Sequence, residues 1–161
     1  MISVMHGIEY FKDGIYIFTG TDEVPCPVCG ARLKVHGTCK RKLQTVSGEK
    51  RYHLRVMECT NEDCRKTHRE LPAGIIPYKR MDAEKISKIA EIPAAEHTKE
   101  TDTSTWTSIR AWVVWFLEYT SNLLAELNTG YDPSGKRLSD QLIFCVRTVA
   151  NSQKWIQHRL M

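Results

Sequence analysis

The sequence predicts an α+β protein, with strands in its first half and helices in its second. Three observations lead there. Four cysteines form two close pairs, Cys26/Cys29 and Cys59/Cys64. Between the pairs, apolar residues alternate with polar ones, the period of a half-buried strand. From Asp82 onward apolar residues recur mostly at three- and four-residue steps, the period of an amphipathic helix.

The strands come first. Ala31, Leu33 and Val35 alternate with Arg32, Lys34 and His36, and Tyr52, Leu54 and Val56 alternate with Arg51, His53 and Arg55. Ser47-Gly48 is a hairpin turn signal, and Gly37 can separate a first strand from a second. The pattern predicts a small three-stranded antiparallel sheet. One face carries Leu33, Val35, Tyr52, Leu54 and Val56. The other carries Arg32, Lys34, His36, Arg51, His53 and Arg55, with Lys40, Arg41 and Lys42 close by. Residues 2–5 and 15–18 read as two further short strands turned by Lys12-Asp13-Gly14. They form a hairpin that extends the sheet or covers its apolar face. After the second cysteine pair, Pro72 and Pro77 make RKTHRELPAGIIPYKRM a stiff extended connector.

A short Cys-x-x-Cys loop aims two thiolates at one point, and a second loop from a distant part of the chain completes a tetrahedron around a metal ion. Gly30 suits the tight turn after the first pair. The second pair, ECTNEDC, has four intervening residues, a spacing that structural sites accept. The expectation is one structural zinc ion held by Cys26, Cys29, Cys59 and Cys64 at one end of the sheet, a zinc ribbon. A sheet so small has almost no core, so the metal supplies much of its folding energy. A thioredoxin-like redox site needs its Cys-x-x-Cys to open a helix, whereas here ARLKV follows and reads as a strand. Cys39 is a rival ligand, as are His36, His53 and His68, although four cysteines saturate a tetrahedral ion. Cys145 falls on an apolar helix stripe and reads as core.

In the second half, Asp82 is an N-cap for a helix over 83–91, and Pro93 opens a short helix to about Lys99. Thr101 to Ser104 supply caps for a long helix ending near Leu127, with Trp106, Ile109, Val113, Phe116, Leu123 and Leu127 on its inner stripe. Ser139 or Asp140 caps a last helix reaching about Gln157. Leu138, Leu142, Cys145, Val146, Val149, Ile156 and Leu160 lie on one of its faces, and it packs antiparallel on the long helix. Val114, Trp115, Phe144 and Trp155 fall off these stripes, as candidates for a second packing layer or a homodimer contact. The N-terminal side of the long helix presents Thr103, Ser104, Thr107, Arg110 and Ala111. That is the make-up of a recognition helix entering a major groove, and of an ordinary polar surface too. The architecture predicted is therefore an N-terminal zinc-ribbon sheet over 1–78, then an all-helical, helix-turn-helix-like half over 79–161 ending in a helical hairpin.

Charge is unevenly placed. Residues 26–80 hold 13 Lys plus Arg against 5 Asp plus Glu, a local net of +8, within a chain of net +4. Residues 1–25 sum to −3 and 81–161 to −1. Such a segment suits an anionic partner, and equally a solvated basic surface. The richest apolar stretch, 111–117, is too short to span a bilayer. The first residues lack the basic region and apolar core of a signal peptide, so a cytoplasmic address is expected, where thiols stay reduced and bind metal.

The run CPVCGARLKVHGTCKRK, then ECTNEDCRKTHRELPAGIIPYKRM, then STWTSIRAWVVWF, resembles the small zinc-ribbon and helix-turn-helix proteins of mobile elements in Bacillota. Their layout is similar to the N-terminal DNA-binding part of insertion-sequence transposases. The resemblance covers roughly residues 24–118. It implies Cys26, Cys29, Cys59 and Cys64 as ligands and the segment 103–110 as the reading helix. The second knuckle departs from it by two extra residues. A transposase would need three carboxylates on a ribonuclease-H-like fold, for which 81–161 is too short. No Ser/His/Asp set with recognisable context, Gly-rich phosphate loop or HExxH occurs, so neither an enzyme nor a small-molecule substrate is expected. The expected function is zinc-dependent binding of double-stranded DNA, as a transcriptional regulator or an accessory protein of a mobile element or phage. Arg32, Lys34, Lys40, Arg41, Lys42, Arg51 and Arg55 would hold phosphates, while Thr103, Ser104, Thr107 and Arg110 read bases. The alternative is an adaptor that docks a host protein.

Overall fold

The computed structural model describes residues 1–96 and 101–152. Six strands come first: β1 (Ile2–Val4), β2 (Gly7–Lys12), β3 (Ile15–Gly20), β4 (Leu33–Thr45), β5 (Gly48–Cys59) and β6 (Thr67–Pro72). Three helices follow, α1 (Ala83–Glu91), α2 (Thr103–Glu126) and α3 (Leu138–Asn151). The chain is α+β, but neither half has the expected architecture.

The first correction concerns the sheet. Instead of a three-stranded antiparallel ribbon there is one six-stranded mixed sheet, in the order β1-β6-β5-β3-β2, with β4 on the other edge of β5. Two pairings are parallel, β1 with β6 and β3 with β5. The N-terminal hairpin forms one element later than predicted, between β2 and β3. Its turn places Asp13 and Gly14 at φ 52° and 80°, the left-handed pair that matches a two-residue hairpin to strand twist. β1 instead crosses to β6, placing Ile2 opposite Glu70. β6 itself arises where a stiff connector is expected. Its sequence THRELP alternates, burying His68 and Glu70 between exposed Thr67 and Arg69, and Pro72 closes the strand.

β5 is shared along one edge. Residues Tyr52 to Leu54 pair with β3, and Val56 to Glu58 pair with β6. Arg55 stands at the fork between them. Its Nε and Nη2 donate to both oxygens of Glu70 at 2.8 and 2.7 Å, and Nη2 also donates to the Gly20 carbonyl at 2.7 Å. Glu70, 2% exposed, also accepts the Gly20 N–H at 3.0 Å. One guanidinium thus joins three strands. Position 20 has to be glycine, because a Cβ there would come within 2.7 Å of the Glu70 Oε1.

A bulge at His36, between Val35 and Gly37 of β4, shifts the register on β5. Before it Tyr52 and Leu54 are buried, and after it Met57 and Cys59. The bulge turns Val35 to the other face, where it is exposed, and Val56 is half-buried, although simple alternation places both inside. The sheet has a core of its own, formed by Val4, Phe18, Leu43, Tyr52, Leu54, Leu71 and Ile75.

The second correction concerns the helices. Asp82 and Asp102 cap α1 and α2 as their sequence positions predict, accepting the Lys85 and Thr105 N–H groups at 2.8 Å. The helices nevertheless do not form a helix-turn-helix unit with a projecting reading helix. The start of α2 is tied back to the end of α1: the Trp106 indole donates to the Ile92 carbonyl at 3.2 Å, and Arg110 donates to the Ala90 carbonyl at 3.0 Å. Nor is there an isolated C-terminal hairpin, because α3 packs on α1 and β1 as well as on α2. The inner stripe of α2 holds Trp112, Val113, Phe116, Thr120, Leu123 and Leu124, whereas Leu127 is exposed. Together with Ile76, Ala83, Ile86, Leu142, Cys145 and Val146, several of these form a second core. Adjacent Ile75 and Ile76 therefore enter different cores. After Pro93 the described residues 94–96 form a turn. The remainder of the short helix expected to Lys99, and the end of the last helix with Trp155, Ile156 and Leu160, lie outside the described residues.

Removing the Glu70 carboxylate leaves the Arg55 guanidinium, three-quarters buried, with no counter-charge. Glu70→Ala should cost about 3 kcal/mol of folding stability. Urea unfolding checks this, and the exposed pair Arg137 and Asp140, 2.9 Å apart, serves as the control, whose loss should cost far less.

Candidate metal centre

Two loops meet at one end of the β4/β5 ladder. Leu33 opens β4 directly opposite Cys59, the last residue of β5. The loop before β4 and the loop after β5 are consequently neighbours. The Thr60 N–H and hydroxyl both donate to the Arg32 carbonyl, at 3.0 and 2.9 Å, locking one to the other.

In the first loop the Gly30 N–H closes on the Cys26 carbonyl at 2.8 Å, with Gly30 at φ 76°. In the second the Arg65 N–H closes on the Asn61 carbonyl at 2.9 Å, with Arg65 at φ 44°. The two turns are equivalent, and this resolves the wider spacing of the second pair. Thr60 and Asn61 carry the chain from Cys59 into a turn that starts at Asn61, whose side chain accepts the Asp63 N–H at 2.9 Å. Cys64 then occupies the place of Cys29, one residue before the left-handed position.

The four sulfurs of Cys26, Cys29, Cys59 and Cys64 lie within 4.8 Å of one another. Cys26 and Cys64 are separated by 3.8 Å, Cys29 and Cys59 by 3.4 Å. Metal–thiolate bonds of about 2.3 Å give a tetrahedron with edges of about 3.8 Å, whereas a disulfide requires about 2.05 Å. The site fits a metal ion and not a pair of disulfides. Cys26 and Cys59 are buried, Cys64 half-buried and Cys29 exposed, so the centre sits at the surface with one open side. The thiols differ in acidity. The hydrogen bond from the Ala31 backbone pulls Cys29 down to about 7, and burial pushes Cys59 up to about 12. A cation among them removes that conflict by favouring all four thiolates.

None of the rival ligands joins the cluster. Cys39 faces Leu54 in mid-ladder. His36 occupies the bulge, 3.6 Å from Glu58, and His53 lies opposite Lys40. His68 stands behind the site, with Nε2 3.4 Å from the Cys26 sulfur. Burial lowers its pKa to about 4, so the ring is neutral and able to donate an N–H to a thiolate. Its role as support for a ligand was readable only from β6, where it shares a face with Glu70.

The other residues singled out in the sequence are dispersed. Lys40, Lys42 and Arg51 are exposed on the sheet face away from the core, where Lys42 and Arg51 share Glu49 at 3.9 and 3.3 Å. Arg32 is exposed beside the metal loops, and exposed Lys34 pairs with Glu58 at 3.4 Å. Arg41, between two outward lysines, necessarily faces inward, and its Nη2 donates to the Ile76 and Lys79 carbonyls at 2.7 Å each. Arg55 belongs to the fork described above. Thr103, Ser104 and Thr107 are exposed in the first turns of α2. The Ser104 hydroxyl donates to Asp102 at 2.8 Å and that of Thr107 to the Thr103 carbonyl at 2.8 Å. Arg110 lies over the Trp106 ring, 4.8 Å from its centre. Among the described residues, no helix is long and apolar enough to cross a membrane.

Fold and site together define an α+β protein whose mixed sheet carries a four-cysteine centre able to hold a metal ion. Residues 26–112 match a family described as a domain of unknown function (DUF6431), and the chain, matched over more than half its length, belongs to that family. The match begins on Cys26 and takes in both cysteine loops, β4 to β6, α1 and the first part of α2. No curated protein matches the chain, and no solved structure does.

Titration with Co²⁺ should end at about one equivalent per chain with tetrahedral thiolate absorption, and both Cys26→Ser and Cys59→Ser should abolish it. Binding displaces thiol protons, so the apparent affinity should fall as pH is lowered from about 8 to about 6. Chelation should speed amide exchange in the two loops while leaving the helical core protected, because both cores lie outside the centre.

Proposed function

We propose that the protein is a zinc-stabilised DNA-binding protein that grips the phosphate backbone with the outer face of its sheet. The observation that carries the reading is the register of β4 and β5. It places Lys42 opposite Arg51 and Lys40 opposite His53, all on the face turned away from Phe18 and Leu54. Among the described residues, Glu49 at its rim is the only carboxylate among the exposed charges of this part of the face, and exposed ion pairs exchange for phosphates at little cost. Lys12 of β2 lies on the same face and adds a fourth cation, whereas Lys34, beyond the bulge, pairs with Glu58 on the opposite face and Arg32 stands beside the metal loops. Zinc is the ion that four thiolates in a closed tetrahedral site most commonly hold, and its role here is to fix those loops and the ladder end between them.

The start of α2 is not part of this reading. Arg110 is held by backbone carbonyls, and the Asp102 carboxylate, pulled down to about 2 chiefly by Thr105, sets a negative charge at the helix end that a phosphate would approach. Arg41 and Arg55 are likewise excluded, being tied inside the fold.

Elemental analysis of the purified protein should give about one zinc per chain. With about four cations on phosphates, log K should fall with log salt at a slope of about −3 to −4. Reversing Lys40, Lys42 and Arg51 together should flatten that slope and weaken all sequences about equally. Absence of binding at low salt defeats the proposal, and a salt-independent protein partner recovered by its outer face would favour the adaptor instead.

A further inference from the structure

We infer that the DNA held by the outer face is single-stranded, with the Tyr10 ring as the surface on which a base stacks. The inference rests on the DNA-binding reading and specifies its substrate.

Four strands contribute to the face in register. Tyr10 lies opposite Ile17 in the β2/β3 hairpin, Ile17 opposite His53 across the parallel pairing, and His53 opposite Lys40. In the neighbouring row Lys12 lies opposite Ile15, and Arg51 opposite Lys42. Partners in a ladder share a face, so an exposed aromatic ring, two isoleucines and a set of cations occupy one continuous surface. Tyr10 is 50% exposed, and Ile8, two residues along on the same face, 61%. Among the described residues, neither Lys12 nor Lys40 has a carboxylate partner. An exposed ring flanked by cations is the make-up of a single-strand platform, in which bases stack and the backbone follows the charges.

Width argues against a duplex. β2 and β4 are three strand spacings apart, about 14 Å between backbones. The major groove, about 12 Å wide, admits one helix or a two-stranded ribbon and not a four-stranded face. A flat ring lying on a sheet can reach a base face only when the base is unstacked from a partner strand. The helix expected from the sequence to enter a groove is closed at its N-terminus by Asp102 and held by Arg110. Lys40 and Tyr10 are far enough apart for a strand crossing the sheet to touch both.

The test is fluorescence anisotropy with the intact protein and one oligonucleotide sequence, offered as single-stranded DNA, as duplex and as RNA, at several salt concentrations. The single-stranded DNA should bind about tenfold tighter than the duplex. Tyr10→Ala should weaken it about tenfold while leaving duplex binding and the urea midpoint unchanged, and Tyr10→Phe should retain it. Equal or tighter binding of the duplex, or a Tyr10→Ala variant that binds like the parent, overturns the inference and leaves the DNA reading standing. Tighter binding of the RNA overturns the assignment to DNA. Failure of every oligonucleotide to bind at low salt overturns the DNA reading itself.

Discussion

Because β4 and β5 stay paired from Leu33/Cys59 to Thr45/Gly48, the rest of the molecule has a frame to build on. One end of this ladder fixes the distance between the two cysteine loops, and so makes a four-thiolate centre from residues 30 and 38 positions apart. The free edge of β5 receives β3 and β6, and through them β2 and β1. The middle of the ladder sorts the side chains. Lys40 and Lys42 go outward while Arg41, between them, goes inward to the carbonyls of the connector. A local cluster of three basic residues in the sequence is thus divided by strand geometry into a surface pair and a structural bolt.

The same division runs through the basic segment as a whole. A guanidinium has five donors in a rigid plane and tolerates partial burial when they are satisfied. Arg41 and Arg55 are used in this way, bonding backbone carbonyls or a buried carboxylate at the junctions between elements, and exposed Arg110 likewise bonds backbone carbonyls. The lysines, whose compact charge is more strongly hydrated, largely remain outside. The net positive charge of residues 26–80 overstates the surface available to an anion, and the register identifies which part of it is exposed.

Much of this was legible in the sequence, and the failures have physical causes. The cysteine pairs, the hairpin turn at Ser47-Gly48, the caps Asp82 and Asp102 and the turn at Asp13-Gly14 each rest on local chemistry, and each lies where the sequence places it. Long-range pairing does not leave a local mark. Nothing in ISV announces a parallel partner at EL in THRELP, and the prolines around β6 argue against a strand until Pro72 is seen to close it. The bulge at His36 overturned the expected face of Val35, since one extra residue changes the side of every residue beyond it on the same strand. The likeness of α1 and α2 to a helix-turn-helix unit failed for a similar reason. Helix lengths and caps are local, whereas the Arg110 bridge to the end of α1 appears only once the chain is folded.

The fork at Arg55 bears on the order in which the chain assembles. The β2/β3 hairpin and the β4/β5 hairpin are local, and each can form from contiguous residues. Their union is parallel, and β1 finds its place only when β6, with Glu70 opposite Ile2, has been made. Loop closure over such separations is slow compared with hairpin formation. During synthesis from the N-terminus, the exposed edge of β2 with Ile8 and Phe11 therefore precedes any partner for β1 or β3 outside the hairpin. The Arg55–Glu70–Gly20 knot likewise can close only after β6 has been made. It acts as a latch, closing a sheet whose two local halves exist before it does.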